Sequence, residues 1–240
     1  MIKVSNLSID YGNQNGILDI NLTIPYGQIC AVIGHSGCGK STLLNALAGL
    51  MVFDKGLMEI TNAEDEKARL GLIQQSDALF PWLSVWENVA IGLTGSKDEI
   101  FELCINILKN LGLENYVHAF PYQLSGGQKQ RVNIARTLVV DPDVLLMDEP
   151  TASLDAFSKE SLQDLLLNLH QKKKRTTLIV THNIEEALFL SDVILIMDKG
   201  RIVKRYDNPL GHSASLRDDR AFYNQVKVLR DMMKIGETNE

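Results

Sequence analysis

The sequence has few cysteines and no long hydrophobic run, and these absences exclude several classes of protein. Its 3 cysteines are an odd number and lack the paired spacing of zinc ligands or of a disulfide framework. Apolar stretches such as residues 193–197 are much shorter than the ~20 residues that span a bilayer. Near Met1 there is no continuous apolar segment of the kind found in signal peptides. The sequence therefore predicts a soluble protein of the reducing cytoplasm.

Positive charge is scarce as well. The 24 lysines and arginines are outnumbered by 30 aspartates and glutamates, which gives a net charge of −6. Non-specific binding to nucleic acid requires a basic surface, so this balance argues against a nucleic-acid partner. One basic run, residues 172–175, falls between a predicted helix and a predicted strand, and we interpret it as a solvated turn. With 45% hydrophobic residues, the chain has the composition of a folded domain with a core.

The periodicity of the apolar residues indicates two kinds of strand. Residues 18–24 are apolar at every second position, which is typical of an antiparallel strand with one exposed face. Continuous apolar runs occupy residues 28–33, 144–147 and 177–180. Such runs are typical of strands buried between helices, so we expect an N-terminal antiparallel sheet beside a mostly parallel α/β sheet. Residues 193–206 are expected to form a hairpin with a glycine turn.

The intervals between the strands carry helical patterns. Apolar residues recur at helical spacing over about residues 100–111 and 162–169. Residues 77–140 contain such patterns and no convincing strand. We therefore predict one α/β domain over residues 1–208, with a helical subdomain inserted at about residues 77–140.

The C-terminal tail, residues 209–240, ends in an amphipathic segment. Phe222, Val226 and Leu229 fall on one stripe of a predicted helix, and charged residues lie opposite. An interfacial membrane helix would be more basic than this segment, which contains several aspartates. We expect the tail to fold back on the α/β core and bury the stripe.

The strongest motif follows the first continuous apolar run. A predicted strand ends at Ile33 and leads into Gly34-His35-Ser36-Gly37-Cys38-Gly39-Lys40-Ser41, with a helical pattern from Thr42 to Leu50. The spacing G-x-x-x-x-G-K-[ST] between a strand and a helix is that of a phosphate-binding loop. Its glycines let backbone N–H groups surround phosphate oxygens, Lys40 reaches the terminal phosphates and Ser41 can bind Mg²⁺. Cys38 is either a small buried residue, which we favour, or a redox-sensitive thiol.

Two further motifs follow in the second half of the chain. The apolar run at residues 144–147 ends in Asp148-Glu149, so two carboxylates fall at the sheet edge where α/β proteins bind ligands. Asp148 is placed to support Mg²⁺, and Glu149 to polarise a water for attack on a γ-phosphate. The string Leu124-Ser125-Gly126-Gly127-Gln128 precedes a helical stretch over residues 129–139. As a glycine-rich helix start it is a second candidate anion site, and on its own it fits a plain helix N-cap equally well.

Together these motifs resemble those of the ABC ATPase family, whose signature motif matches residues 124–128. The resemblance implies a P-loop NTPase fold, ATP hydrolysis, and Mg²⁺ as the cofactor. It implies that Tyr11 stacks on adenine, while residues 34–42 and Ser125, Gly126, Gly127 and Gln128 contact the nucleotide. The residues it implies for catalysis are Lys40, Gln75, Glu149 and His182, and those it implies near Mg²⁺ are Ser41, Gln75 and Asp148.

The resemblance also implies that two ATPase subunits, expected here to be identical, pair head to tail. Each ATP would lie between the phosphate loop of one subunit and Ser125 of the other, and residues 153–155 would pair across the dimer. Gln75 would contact both Mg²⁺ and the transport partner. Its neighbour Gln74 stands where the family usually has an aromatic residue, and we prefer Gln75 as the ligand because Pro81-Trp82 follows six residues later.

Residues 78–89 are the most informative about the subfamily. They resemble importer ATPases of the nitrate, sulfonate and taurine type, although importers of thiamine-pyrimidine precursors share the pattern, so the cargo stays open. The resemblance implies transmembrane permease subunits, a separate periplasmic or lipid-anchored solute-binding protein and a position on the inner face of the cell membrane. Phe80 and Trp82 are expected to dock the permease, and Trp86 is expected in the helical core.

Two other classes of ABC protein are alternatives to an importer. An exporter or lipoprotein-release ATPase would differ in sequence around residues 80–89. ABC ATPases that act on DNA or ribosomes carry coiled-coil insertions, zinc-binding cysteines or two cassettes in one chain, and this sequence has none of these. An importer ATPase is therefore the favoured interpretation.

Overall fold

A computed structural model describes residues 1–12, 15–75, 79–212 and 214–234 of the chain. In those residues the strands are β1 (Ile2–Gly12), β2 (Asn15–Ile24), β3 (Ile29–Ile33), β4 (Lys55–Ile60), β5 (Leu70–Ile73), β6 (Val144–Asp148), β7 (Thr176–Val180), β8 (Val193–Asp198) and β9 (Arg201–Asp207). The α-helices are α1 (Lys40–Leu47), α2 (Val85–Ala90), α3 (Lys97–Asn110), α4 (Gly126–Leu138), α5 (Ala156–Lys172), α6 (Ile184–Leu190) and α7 (Arg220–Lys234).

The N-terminal strands form the expected antiparallel sheet, in the order β2-β1-β4. Strand β1 pairs with both neighbours, and Val4 lies opposite Leu22 on one side and Met58 on the other. Alternate residues of β1 are buried, which confirms one apolar face. The strand is continuous but irregular, because the register shifts between Val4 and Leu7, where Asn6 has a left-handed backbone.

The second sheet has the order β5-β6-β7-β3-β8-β9. Its first five strands are parallel, and β9 returns antiparallel to β8 through a turn at Lys199 and Gly200, which confirms the predicted hairpin. Every residue of β3 and β7 is buried, because these central strands have helices or the other sheet on both faces. The P-loop α/β fold class is confirmed.

Helices fill the chain between β5 and β6, where α2, α3 and α4 follow one another with no strand among the described residues 79–143. The predicted stripe of α3 buries Cys104 and Leu108, but Leu103 is half exposed. Trp86 packs edge-on against Phe101, with ring centroids 5.1 Å apart. The predicted limits of a helical subdomain stay a prediction, and Asp77 lies outside the described residues.

Two helix boundaries differ from those predicted. Helix α1 spans Lys40–Leu47 instead of residues 42–50, and Gly49, with φ 72°, provides the left-handed residue after its end. Helix α4 begins at Gly126, three residues earlier than predicted, because Ser125 and Gln128 form a capping box at its start. The signature glycines therefore belong to the first turn of α4 and not to a loop before it.

The tail contacts the core through α7, which packs on α6. Phe222, Val226 and Leu229 are buried in the cluster that also contains Phe189. Before the helix, the Arg217 guanidinium lies over the Phe189 ring and pairs with an aspartate of α5. Residues 213 and 235–240 of the tail lie outside the described residues. No helix in the described part of the chain is long and apolar enough to cross a membrane.

The basic run at residues 172–175 is only partly a solvated turn, which corrects the expectation. Lys173 and Arg175 both bind Asp141, with Nζ–Oδ2 and Nη2–Oδ1 distances of 2.6 and 2.9 Å. Burial raises the pKa of Asp141, but the hydrogen bonds and charges of the two cations outweigh this and lower it overall. The run therefore ties the α5–β7 connection to the segment before β6.

Candidate active site

The predicted phosphate loop lines a cleft of ≈ 830 Å³ at the carboxyl ends of the parallel strands. Loops that follow β3, β6 and β7 meet at this edge, which is the edge where open α/β sheets bind ligands. The cleft is lined by Tyr11, Gly16, Gly34, His35, Ser36, Gly37, Gly39, Lys40, Ser41, Thr42, Gln75, Glu149, His182 and Met233. Residues from seven separate parts of the sequence therefore surround one opening.

Two glycines of the loop occupy positions that no larger residue fits. A Cβ at Gly34 would lie 2.2 Å from the Met197 carbonyl oxygen, so the loop passes directly against β8. Gly39 has φ 104°, and a Cβ there would lie 2.9 Å from Ile17 Cγ2. These glycines allow the chain to turn from β3 into α1 with the helix N-terminus facing the cleft.

Lys40 is the first residue of α1, and its ammonium lies inside the loop. Nζ donates to the carbonyl oxygens of Gly34 and His35, both at 2.8 Å. The side chain is buried apart from the part that lines the cleft. The loop thus holds a positive charge beside the helix N-terminus, and both favour a bound anion.

Cys38 lies beneath the loop and does not line the cleft. Burial raises the pKa of its thiol, and this outweighs the opposing effect of Lys40, whose Nζ is 3.8 Å from Sγ. A protonated, buried thiol is a poor nucleophile. The structure therefore favours the small buried residue over the redox-sensitive thiol.

Ser41 and Asp148 meet at the base of the cleft, where Ser41 Oγ donates to Asp148 Oδ1 over 3.4 Å. Burial raises the pKa of Asp148, and the Glu149 carboxylate raises it further, while Ser41 and Lys40 oppose the shift. Gln75 lines the cleft on another side. Among the described residues no three or more His, Cys, Asp or Glu side chains cluster as a complete metal site.

Glu149 and His182 both line the cleft and are in direct contact with each other. His182 Nδ1 lies 2.9 Å from Glu149 Oε1, so the imidazole N–H donates to the carboxylate. The backbone of Glu149 is left-handed, with φ 45°, which is uncommon for a residue other than glycine. Its N–H donates to the carbonyl oxygen of Val180, so the end of β6 stays paired with β7 up to this residue.

Tyr11 and Met233 both contribute apolar surface to the lining of the cleft. The Tyr11 ring is about half exposed, and its hydroxyl lies 3.2 Å from Met51 Sδ. Met233 comes from the last turn of α7, which Lys204 holds through a 2.8 Å hydrogen bond from Nζ to the Met232 carbonyl. The sequence contains no signal that Met233 reaches this cleft.

The signature residues lie away from this cleft in the same chain. Ser125 is the N-cap of α4, and its Oγ accepts from Gln128 N at 3.3 Å. Ser125 and Gly126 are exposed, and none of residues 125–128 lines the cleft. Gly126 and Gly127 approach Leu154 and Ser158, so the signature turn and residues 153–155 share one face. One chain therefore presents a phosphate loop and a separate, outward-facing helix N-terminus.

Helix α4 is hydrogen-bonded to two of the loops that carry cleft residues, the one with Glu149 and the one with Gln75. The buried Gln130 donates from Nε2 to the carbonyl oxygen of Pro150 at 3.0 Å, one residue after Glu149. Asn133 donates from Nδ2 to the carbonyl oxygen of Gln74 at 3.5 Å, one residue before Gln75. Sequence analysis missed both side chains, because polar residues in a helix carry no signal of the loop they will meet.

Solved structures with the same fold include ABC cassettes. The dimeric ABC transporter cassette MJ0796 has a TM-score of 0.75 at 31% identity, over 86% of this chain and 98% of that one. A post-hydrolysis dimer of the same cassette, bound to ADP and Pi, has a TM-score of 0.74 at 29% identity over the same shares. CbiO1 from Clostridium perfringens, part of the transporter complex cbiONQ, has a TM-score of 0.79 at 27% identity over 98% of both chains.

Relatives of this chain include the taurine import ATP-binding protein TauB. TauB of Escherichia coli (strain K12) and TauB of Shigella boydii are each 41% identical over 212 residues, covering 85% of this chain and 83% of theirs. The ABC transporter family model matches residues 17–152, which is more than half of the chain. With the phosphate loop, the acidic pair and the signature turn in place, these matches show that the chain belongs to the ABC transporter family, as an ATP-binding and ATP-hydrolysing subunit.

Proposed function

We propose that two copies of this chain hydrolyse ATP as a head-to-tail pair and thereby power the uptake of a small sulfonate-like solute. The pairing is supported by the distance, within one chain, between its two anion-binding features, the phosphate-loop cleft and the Ser125 turn. The cleft has the phosphate loop and the Glu149–His182 pair, while the exposed Ser125 turn lies elsewhere. A second copy supplies that turn to the open side of the cleft.

In this proposal the chain binds the phosphates of ATP with fixed groups. The loop N–H groups and the N-terminus of α1 face the β- and γ-phosphates, and Lys40 exchanges its carbonyl partners for phosphate oxygens. Tyr11, whose ring lines the cleft, lies beside the adenine. Ser125 and the first turn of α4 of the second copy then cover the γ-phosphate.

Ser41, Asp148 and Gln75 are the residues that would hold Mg²⁺. The hydroxyl and the desolvated carboxylate lie within hydrogen-bond reach of each other, and oxygen ligands of this kind suit a hard cation that is shared with phosphates. When bound, Mg²⁺ neutralises part of the charge that develops on the phosphate oxygens. The ionised form of Asp148, which burial disfavours, would then be stabilised.

Glu149 is the proposed general base and His182 the group that orients it. The carboxylate takes a proton from the attacking water, as a base within hydrogen-bond reach of that water. The imidazole N–H that binds Glu149 Oε1 fixes the direction of the carboxylate. His182 lines the cleft and is largely exposed, which supports a second contact from its imidazole to the γ-phosphate.

The proposed transport role rests on the relatives, whose names state taurine import. In this role the ATPase pair sits on the inner face of the membrane under two permease subunits, and a separate binding protein selects the solute.

Solute uptake tests this role, in membrane vesicles that contain the permease together with this ATPase, the binding protein and Mg-ATP. We expect uptake of labelled taurine, with competition from other sulfonates. Uptake of a thiamine-type pyrimidine or of nitrate in place of sulfonates would contradict the proposed solute class.

Trp82 is the proposed anchor for the permease. Its side chain is 69% exposed and lies against Phe80, with ring centroids 5.4 Å apart, in the segment that follows Gln75. Trp82→Ala should leave ATP binding by the isolated chain intact, because the residue does not line the cleft. It should weaken permease binding by about 30-fold, the effect of a hot spot worth about 2 kcal/mol.

Permease-stimulated ATP hydrolysis in vesicles measures this effect. Tyr26→Ala is the matched control, since Tyr26 is also an exposed aromatic residue but lies in the turn between β2 and β3. Normal stimulation of the Trp82→Ala protein would show that the permease docks elsewhere.

A further inference from the structure

Glu186, in the first turns of α6, is a carboxylate that the ATPase chemistry described above does not use. It is only 1% exposed, and both of its oxygens accept hydrogen bonds from buried threonines. Thr151 Oγ1 donates to Oε1, and Thr181 Oγ1 donates to Oε2 at 2.6 Å. No lysine or arginine pairs with this carboxylate among the contacts of the described residues. The two hydroxyls are therefore its principal partners.

The two threonines flank the two cleft residues that act on the water. Thr151 follows Glu149 by two residues, and Thr181 directly precedes His182. The loop after β6 and the loop after β7 thus meet at one carboxylate beneath the cleft. A single side chain fixes the relative position of both loops.

The loop that carries Glu149 needs such support because its backbone is strained. The left-handed φ of 45° at Glu149 is disfavoured for a residue with a Cβ and persists only where the surroundings hold it. Gln130 holds the Pro150 carbonyl from the side of α4, and Glu186 holds Thr151 from the side of α6. The loop is therefore fixed from both directions.

The second loop is fixed by the same helix. Asn183 N donates to Thr181 Oγ1 at 3.0 Å, and Glu186 N donates to Asn183 Oδ1 at 2.8 Å. His182 thus stands between two residues that both bind Glu186. A shift of Thr181 or of Thr151 would move His182 or Glu149 and so change the distance between them, which is 2.9 Å here.

We infer that Glu186 is a positioning residue for ATP hydrolysis, which sets the geometry of the Glu149–His182 pair through Thr151 and Thr181. The inference rests on the proposed roles of Glu149 and His182. A buried carboxylate is costly to desolvate, and an apolar residue of similar size would fill the same space without that cost. Its two hydrogen bonds, one to each loop, supply what an apolar residue cannot: a fixed register between the loops.

Three substitutions at one position test the inference. Glu186→Leu removes both hydrogen bonds. In Glu186→Gln the amide oxygen still accepts from one threonine, and the amide NH₂ can donate to the other threonine once its hydroxyl has rotated. Glu186→Asp keeps the charge but is too short to reach both hydroxyls. The expected order of kcat is wild type, then Gln and Asp, which each keep part of the link between the loops, then Leu. The Leu variant should be about 10- to 100-fold below wild type, since a displacement of the order of 1 Å has that effect. Nucleotide affinity and KM for ATP should stay unchanged, because the phosphate loop is untouched.

Matched controls separate positioning from folding. Glu185→Gln removes an exposed carboxylate from the adjacent position of α6 and should leave kcat unchanged. Thr181→Val should lower kcat. Thr177→Val, near the start of β7, should not, because Thr177 Oγ1 donates to the Arg175 carbonyl and makes no contact with Glu186 among the described residues. All rates are taken per nucleotide-binding site, so a variant that folds less completely does not count as slower. The threonine pair keeps the test valid even where the Leu variant does not fold.

The double variant Glu149→Gln/Glu186→Leu distinguishes the inference from the function on which it rests. If Glu186 acts through Glu149, the double variant should hydrolyse ATP no more slowly than Glu149→Gln alone. A slow Glu149→Gln together with wild-type kcat in Glu186→Leu and Thr181→Val would overturn the positioning role alone. A Glu149→Gln protein with wild-type kcat would overturn the proposed base, and with it the role of Glu186.

Discussion

Replacing Glu149 with Gln is expected to slow ATP hydrolysis by about 10²–10⁴-fold, the usual cost of a lost general base. The amide has nearly the same volume and accepts the His182 N–H through its oxygen, so the cleft should keep its shape. Nucleotide affinity should stay close to that of wild type, because Lys40, Ser41 and the loop N–H groups supply it. Single-turnover hydrolysis of Mg-ATP measures the rate, and equilibrium titration with the nucleotide measures the affinity.

The same variant should trap the pair of chains. Without the carboxylate, repulsion of the γ-phosphate is removed and bound ATP persists, so two chains stay closed over two nucleotides. The protein should elute from a sizing column as a dimer with Mg-ATP and as a monomer with ADP. Glu160→Gln, which changes an exposed glutamate of α5, should hydrolyse ATP normally and form no lasting dimer. Wild-type hydrolysis by a monomeric Glu149→Gln protein would contradict both the base and the sandwich.

Replacing Ser125 with Arg in the Glu149→Gln background is expected to abolish that dimer. Ser125 is exposed at the N-terminus of α4, where the proposed partner nucleotide would place its γ-phosphate. The guanidinium is too large for a position built for a hydroxyl beside phosphate, and it would block the first-turn N–H groups. Nucleotide binding by the single chain should remain, because Ser125 does not line the cleft of its own chain.

Ser96→Arg is a closely matched control for this substitution. Ser96 is also the exposed N-cap serine of a capping box, with Glu99 as its partner at the start of α3. Both variants should lose about 1 kcal/mol of folding stability with the cap. Only Ser125→Arg should lose the Mg-ATP dimer. Loss of the dimer in both variants, or in neither, would show that Ser125 does not contact the partner's nucleotide.

Much of the fold follows from local patterns in the sequence. The continuous apolar runs of β3, β6 and β7 predict buried parallel strands, since a strand covered on both faces has no polar side. The phosphate loop is equally local, because its glycines and Lys40 act within one strand–loop–helix unit. The helix ends were placed less accurately, because hydrophobic periodicity does not decide where a helix starts or stops. At α1 the left-handed glycines Gly39 and Gly49 flank the helix, and at α4 the capping box of Ser125 and Gln128 sets the start.

The sequence by itself determined the kind of chemistry: a phosphate loop, an acidic pair at a strand end and a signature turn are each written in consecutive residues. Only the tertiary structure decided how they relate. It separates the Ser125 turn from the cleft of its own chain, brings Met233 from the far end of the sequence to that cleft, and joins Thr151 and Thr181 through Glu186. The physical reason is that these contacts join residues far apart in the chain, and their partners are chosen by the packing of α4, α6 and α7 on the sheet. No local pattern records that packing.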